Sequence, residues 1–122
     1  MKDPGKELEK LRKNTEFTQL TVAQIVKDFH SVGIDVQNQI SASFSYDVLE
    51  NVVCGLIQQL HVSNPEKFRR LLYTVDLPES DVKRISKSPH FYVDLSQMLI
   101  QREFLKVLIR TSYQIKNDNG NS

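Results

Sequence analysis

The stretch SPHFYVDLSQMLIQREFLKVLIRTSYQI, residues 88–115, decides how the rest of the chain is read. Ser88 suits a helix N-cap, and Pro89 suits the first helical position, where its missing N–H costs nothing. No glycine or proline follows until Gly120. Apolar residues recur at helical spacing: Phe91, Leu95, Met98, Leu99, Leu105 and Ile109 lie on one side, and Phe104, Val107 and Leu108 widen the stripe. At ~1.5 Å per residue such a helix spans roughly 40 Å. That exceeds the body of a domain of about 100 residues. A helix of this length bends, breaks or protrudes, and a protruding apolar end is usually covered by a second chain. A long C-terminal helix is therefore predicted, with a homodimer as one expected outcome.

Arg102, Lys106 and Arg110 recur in this helix at i, i+4 and i+8. Beside Glu103 they read as a solvated face, or as a basic stripe for an acidic partner. Arg102 interrupts the row between Met98/Leu99 and Leu105. If it lies against the core, it needs a carboxylate from another helix.

Working outward, Tyr46 to Leu60 is the natural companion. Its apolar residues Val48, Leu49, Val52, Val53, Leu56, Ile57 and Leu60 make a face too broad for a surface helix, so it is expected to pack centrally on the long helix. Gly55 sits inside it at a cost of about 1 kcal/mol relative to alanine, and close approach of another helix would offset that. Asn64-Pro65 is a cap followed by a first helical position. It opens a helix to Val75 with Phe68, Leu71 and Leu72 on its apolar face. Tyr73 is expected to pack under the turn that follows. Asp76-Leu77-Pro78 breaks that helix, and a short one runs from Pro78 or Glu79 to Ser86.

Upstream, Thr21 to Gln24 is a capping-box pattern, although Phe17 and Leu20 extend the helical stripe back toward Thr15. Gly33 suits the stop. Residues 34–45 alternate weakly and read as an ordered loop or a short strand pair. Asp3-Pro4 can cap a first short helix whose only apolar residues are Leu8 and Leu11. Residues 1–14 therefore read as a charged, flexible arm, or a frayed helix unless something packs on those leucines. The tail 116–122 has no side chain more apolar than glycine and is expected to be disordered. Residues 1–115 thus form a single all-α domain, a compact bundle of four or five helices with one long C-terminal helix.

The block Phe68-Arg-Arg-Leu-Leu-Tyr-Thr-Val-Asp-Leu-Pro-Glu, followed by Gln101-Arg-Glu-Phe-Leu-Lys-Val-Leu-Ile-Arg, resembles small all-helical bacterial proteins that are uncharacterised. The resemblance implies a helical fold and carries no activity with it.

The chain has 122 residues, enough for one core and too few for two. Its 16 Lys+Arg nearly balance 15 Asp+Glu, so no global charge draws it to nucleic acid or membrane. The charge is uneven: residues 14–63 carry one cation, Lys27, and five anions, Glu16, Asp28, Asp35, Asp47 and Glu50, between mildly basic flanks. The single cysteine, Cys54, excludes an internal disulfide and fits a reducing cytoplasm. The N-terminus lacks the apolar core of a signal peptide, and no apolar run is long enough to span a membrane.

His30, His61 and His90 have no Cys or His partner at metal-ligand spacing. Cys54 has no neighbouring cation to stabilise a thiolate. The four glycines make no phosphate loop, and Asp76, Glu79 and Asp81 lack the spacing of a calcium loop. No catalytic residue, cofactor, metal or small-molecule ligand is expected. The expectation is a non-catalytic protein–protein interaction or self-associating module. Lys83, Arg84, Arg102, Lys106 and Arg110 are the candidate partner-binding residues. The alternative is a small helix-turn-helix-like nucleic-acid binder built from residues 65–75 and 79–86. Against it, the second helix opens with Glu79 and Asp81 and offers no Asn or Gln to read bases.

Overall fold

The computed structural model describes residues 14–40 and 45–120, with side chains through Ser112. The expected arm, apart from Asn14, lies outside the described residues, as do positions 41–44 of the expected loop and the last two residues of the tail. The described chain is all-helical: α1 Thr15–Ser31, α2 Gln37–Ile40, α3 Tyr46–Ser63, α4 Pro65–Val75, α5 Glu79–Ile85 and α6 Phe91–Gly120. α6 is the common wall, with α1, α3, α4 and α5 all packed on it, and its pairing with α3 is the most extensive.

α1 starts at Thr15 because Asn14 caps it, its Oδ1 accepting the Phe17 N–H at 3.1 Å. The capping-box threonine therefore sits mid-helix, where Thr21 Oγ1 donates to the Phe17 carbonyl at 3.0 Å. Phe17, Val22, Ile25 and Phe29 are buried. Gly33 ends the helix at φ 84°, with its N–H on His30 O and the Ile34 N–H on Phe29 O, the paired bonds of a Schellman cap. The expected loop or strand pair contains a helical turn instead. Val36 and Ile40, one turn apart, are both fully buried, and Val36 O accepts the Ile40 N–H. Their i, i+4 spacing is what the weak alternation had hidden.

α3 is capped by Ser45 and buries Leu49, Val53, Ile57 and Leu60. It runs three residues past Leu60 because Asn64 serves two helices at once. The Asn64 N–H bonds Leu60 O to close α3, while its Oδ1 accepts the Lys67 N–H at 3.1 Å to open α4. The corner is locked by His61, whose ring stacks on Phe68 at 4.2 Å and whose Nδ1 shares a 2.9 Å hydrogen bond with the Tyr92 hydroxyl. α4 buries Phe68, Leu71 and Val75. Tyr73 lies on the opposite side of that helix and is 82% exposed, so it does not pack under the turn. The turn ends α4 in the same Schellman geometry as Gly33, with Asp76 at φ 70° in the position glycine usually takes.

α6 begins at Phe91 rather than Pro89. Ser86 to His90 instead turns back, with the Ser88 N–H on Ile85 O and Ser88 Oγ accepting the His90 N–H. Leu95, Leu99, Ile100, Phe104 and Val107 are its buried apolar residues. Ile109 was expected on this face and is 65% exposed. It stands ~200° around the helix from Val107, on the side away from the bundle. Phe17 packs on Phe104 at 4.6 Å and on Val107, forming a small satellite core between α1 and α6. Past Ile115 the backbone stays helical to Gly120.

Gly55 is exposed, and a Cβ built there would meet no atom of another described element within 4 Å. Among the described residues, the expected close helix is absent. Gly55→Ala should therefore raise the unfolding free energy by about 0.5–1 kcal/mol, read as a higher urea midpoint at unchanged slope.

Candidate interaction surface

The five candidate cations fall into two groups. Lys83 and Arg84 are exposed on α5, and Arg84 stands 3.7 Å from Asp81, a surface pair that contributes little. α4 and α5 do follow one another across a tight turn. Even so, α5 is only seven residues long and carries Glu79 and Asp81 in its first turn. The three α6 cations are engaged by their own chain. Arg102 bonds Asp76 in the α4–α5 turn at 2.7 Å, a largely exposed pair and not the buried pairing with another helix that a core position would have needed. Arg110 donates to Gln24 Oε1 at 3.0 Å, and Gln24 Nε2 in turn donates to Asp28 at 3.1 Å.

Lys106 reaches farthest in. Its ammonium lies 3.0 Å from Asp28 Oδ2, 3.0 Å from Glu103 Oε1 and 3.2 Å from the Thr74 carbonyl. Glu103 was expected near a solvated face and is 0% exposed. It occupies the turn between Leu99 and Val107, where α1 and α4 close over α6. Burial pushes its carboxyl up from the ordinary 4.5 to about 9, the Asp28 carboxylate adds to the shift, and Lys106 opposes it. Neither Glu103 oxygen accepts a hydrogen bond from an aligned donor. A neutral Glu103 instead can donate its O–H to Asp28, leaving one buried anion against one cation. Burial disfavours the Lys106 ammonium, but Glu103 and Asp28 outweigh this and leave its pKa above the usual value.

A second surface, on α2 and α3, is of another kind. Between Val36 and Asn64 the only formal charges are Asp47 and Glu50, and Glu50 is held by Gln97 Nε2 at 2.9 Å. Much of what is described of this segment lies at the surface. Val48, Asn51, Gly55, Gln58, Gln59 and Val62 are all exposed on one side of α3, and Val62 is 75% exposed. A cleft of 330 Å³ opens at the edge of this face, between the α1–α2 turn, α3 and the start of α4. Phe29, Ile34, Val36, Leu56 and Leu60 make its apolar lining, and Gln39, Gln59, Asn64, Asp35 and Lys67 add polar groups. Sequence reading missed this surface, although its signal, the scarcity of charge, was countable. Among the described residues no three His, Cys, Asp or Glu side chains gather as a metal site, and no helix is long and apolar enough to cross a membrane. No family model, curated protein or solved structure matches the chain.

Two outcomes follow from the buried cluster. The folded state holds a proton on Glu103 that the unfolded chain releases above pH 4.5. Stability therefore falls as pH rises toward 9, by up to about 1.4 kcal/mol per pH unit. Lys106, with its pKa raised, loses its contribution only above its ordinary 10.5. Glu103→Gln should flatten the fall between pH 5 and pH 9 in urea titrations; an unchanged slope would show that Glu103 is ionised in the fold. Lys106→Met should lower stability by about 3 kcal/mol by leaving Asp28 buried and unpaired, and adding Asp28→Asn should recover part of that loss.

Proposed function

We propose that the chain is a non-catalytic helical interaction module that binds a protein partner through the charge-poor face of α2 and α3 and the cleft at its edge. The observation that carries this reading is the almost uncharged exposed side of α2 and α3, in a chain where a quarter of all residues are charged. The centres of protein interfaces are depleted of Lys, Glu and Asp, because each would have to be desolvated on contact. The intramolecular ties of Arg102, Lys106 and Arg110 support looking to this face rather than to a basic stripe along α6. The cleft is of a size to take an apolar side chain from a partner, with the amides of Gln39, Gln59 and Asn64 at hand for its backbone. The single cysteine suits a reducing compartment, and we assign the module to the cytoplasm.

A chain carrying Val48→Lys and Val62→Lys tests this. Both positions are exposed, so the thermal midpoint should move little. Association should be lost, read as a fall in solution mass or as proteins that the unaltered chain retains from extract and the variant does not. An unaltered chain that neither associates nor retains any protein that the variant loses would overturn the reading.

A further inference from the structure

The uncharged side of α3 has an internal symmetry. Val48 and Val62 stand seven residues either side of Gly55, Asn51 and Gln59 four residues either side, and Val52 and Gln58 three. All of these except half-buried Val52 are exposed. A helix laid antiparallel on an identical helix, with the two-fold axis at Gly55, sets Val48 against the Val62 of the second copy and Asn51 against its Gln59. Such an isologous contact requires a surface to complement itself.

We infer that the partner is a second copy of this chain, and that two α3 helices pair antiparallel across a two-fold axis at Gly55. The inference rests on the interaction reading above and names its partner. Three observations converge on it. First, a glycine inside an exposed helix is unfavourable relative to alanine, and among the described residues no other helix approaches Gly55. A second backbone crossing there gains the close contact that a side chain would block. Second, α3 has no Asp, Glu, Lys or Arg from Asn51 to Ser63. The face is thus complementary to itself in charge, since two copies bring no like charges together, and Asp47 and Glu50 stay at its N-terminal end. Third, the seven-residue spacing Val48–Gly55–Val62 is that of a shallow left-handed helix pair, crossing near +20°. Antiparallel pairing also sets the positive end of each helix dipole beside the negative end of the other.

Magnitude sets the conditions of the test. One helix on one helix covers less than the about 800 Å² per partner of a standard interface. Association is therefore expected at about 10–100 µM, weaker than an obligate dimer. Sedimentation equilibrium of the full chain from about 10 µM to 1 mM should show the mass rising from 14.1 kDa toward twice that value. Gly55→Leu should weaken the association at least tenfold while leaving the monomer folded, because no other described element lies close to Gly55. Ile109→Glu, on the outer side of α6, should leave it unchanged. In a Cys54→Ser background, a mixture of Val48→Cys and Val62→Cys chains should form a disulfide across the pair under mild oxidation, while neither alone does. A monomer at 1 mM overturns the pairing but leaves the interaction reading to its own capture experiment. A dimer that Gly55→Leu leaves intact and Ile109→Glu dissociates overturns it and moves self-association to α6. Efficient disulfide formation by Val48→Cys alone overturns the antiparallel arrangement.

Discussion

Glu103, Asp28 and Lys106 meet where α1, α4 and α6 come together, and the arrangement of those three helices depends on how their charges balance. Two carboxyls and one ammonium in a desolvated pocket are tolerable if one carboxyl keeps its proton. Glu103, wholly buried, is the one that does. The Lys106 ammonium then joins Asp28 on α1 to the Thr74 carbonyl on α4. An apolar trio would hold these helices together as strongly. It would not hold them in one relative position, because apolar contacts are non-directional.

Locally encoded features were legible in the residues. Asn64-Pro65 marks the start of α4 with the cap and first position in adjacent residues, and the helix runs to Val75 as read. The all-helical class and the pairing of α3 with the C-terminal helix follow from apolar spacing alone. The misreadings share a cause. Ser88-Pro89 has good capping chemistry, yet the chain must first turn after Ile85, which moves the start of α6 to Phe91. Thr21 is a good cap residue overruled by Asn14, whose side chain reaches the Phe17 N–H. Gly33 and Asp76 end helices through the same geometry; glycine announces it directly, whereas the stop at Asp76 was legible from Pro78 and its positive φ was not.

The candidate site was less legible, for a different reason. Arg102 and Lys106 flank Glu103 in sequence, and three charges together read as a solvated face. Burial of Glu103 is decided by α1 and α4 crossing over it, which no spacing within α6 reveals. The proposed interaction surface had a signal of the opposite kind. The single cation among residues 14–63 was visible at once, but it reads as an acidic middle. Only when the exposed side of α3 is laid out does the same count become an uncharged patch centred on a glycine.

Asn64 closes α3 with its backbone N–H and opens α4 with its side chain, so the two helices meet at a corner with no slack residue between them. Such a corner acts as a bell crank. A torque applied to the outer side of α3 is not absorbed by a loop but is delivered to α4. The far end of α4 carries the Thr74 carbonyl that grips Lys106. Asn64 thus fixes one end of α4 to α3, and Lys106 fixes the other to α1 and α6.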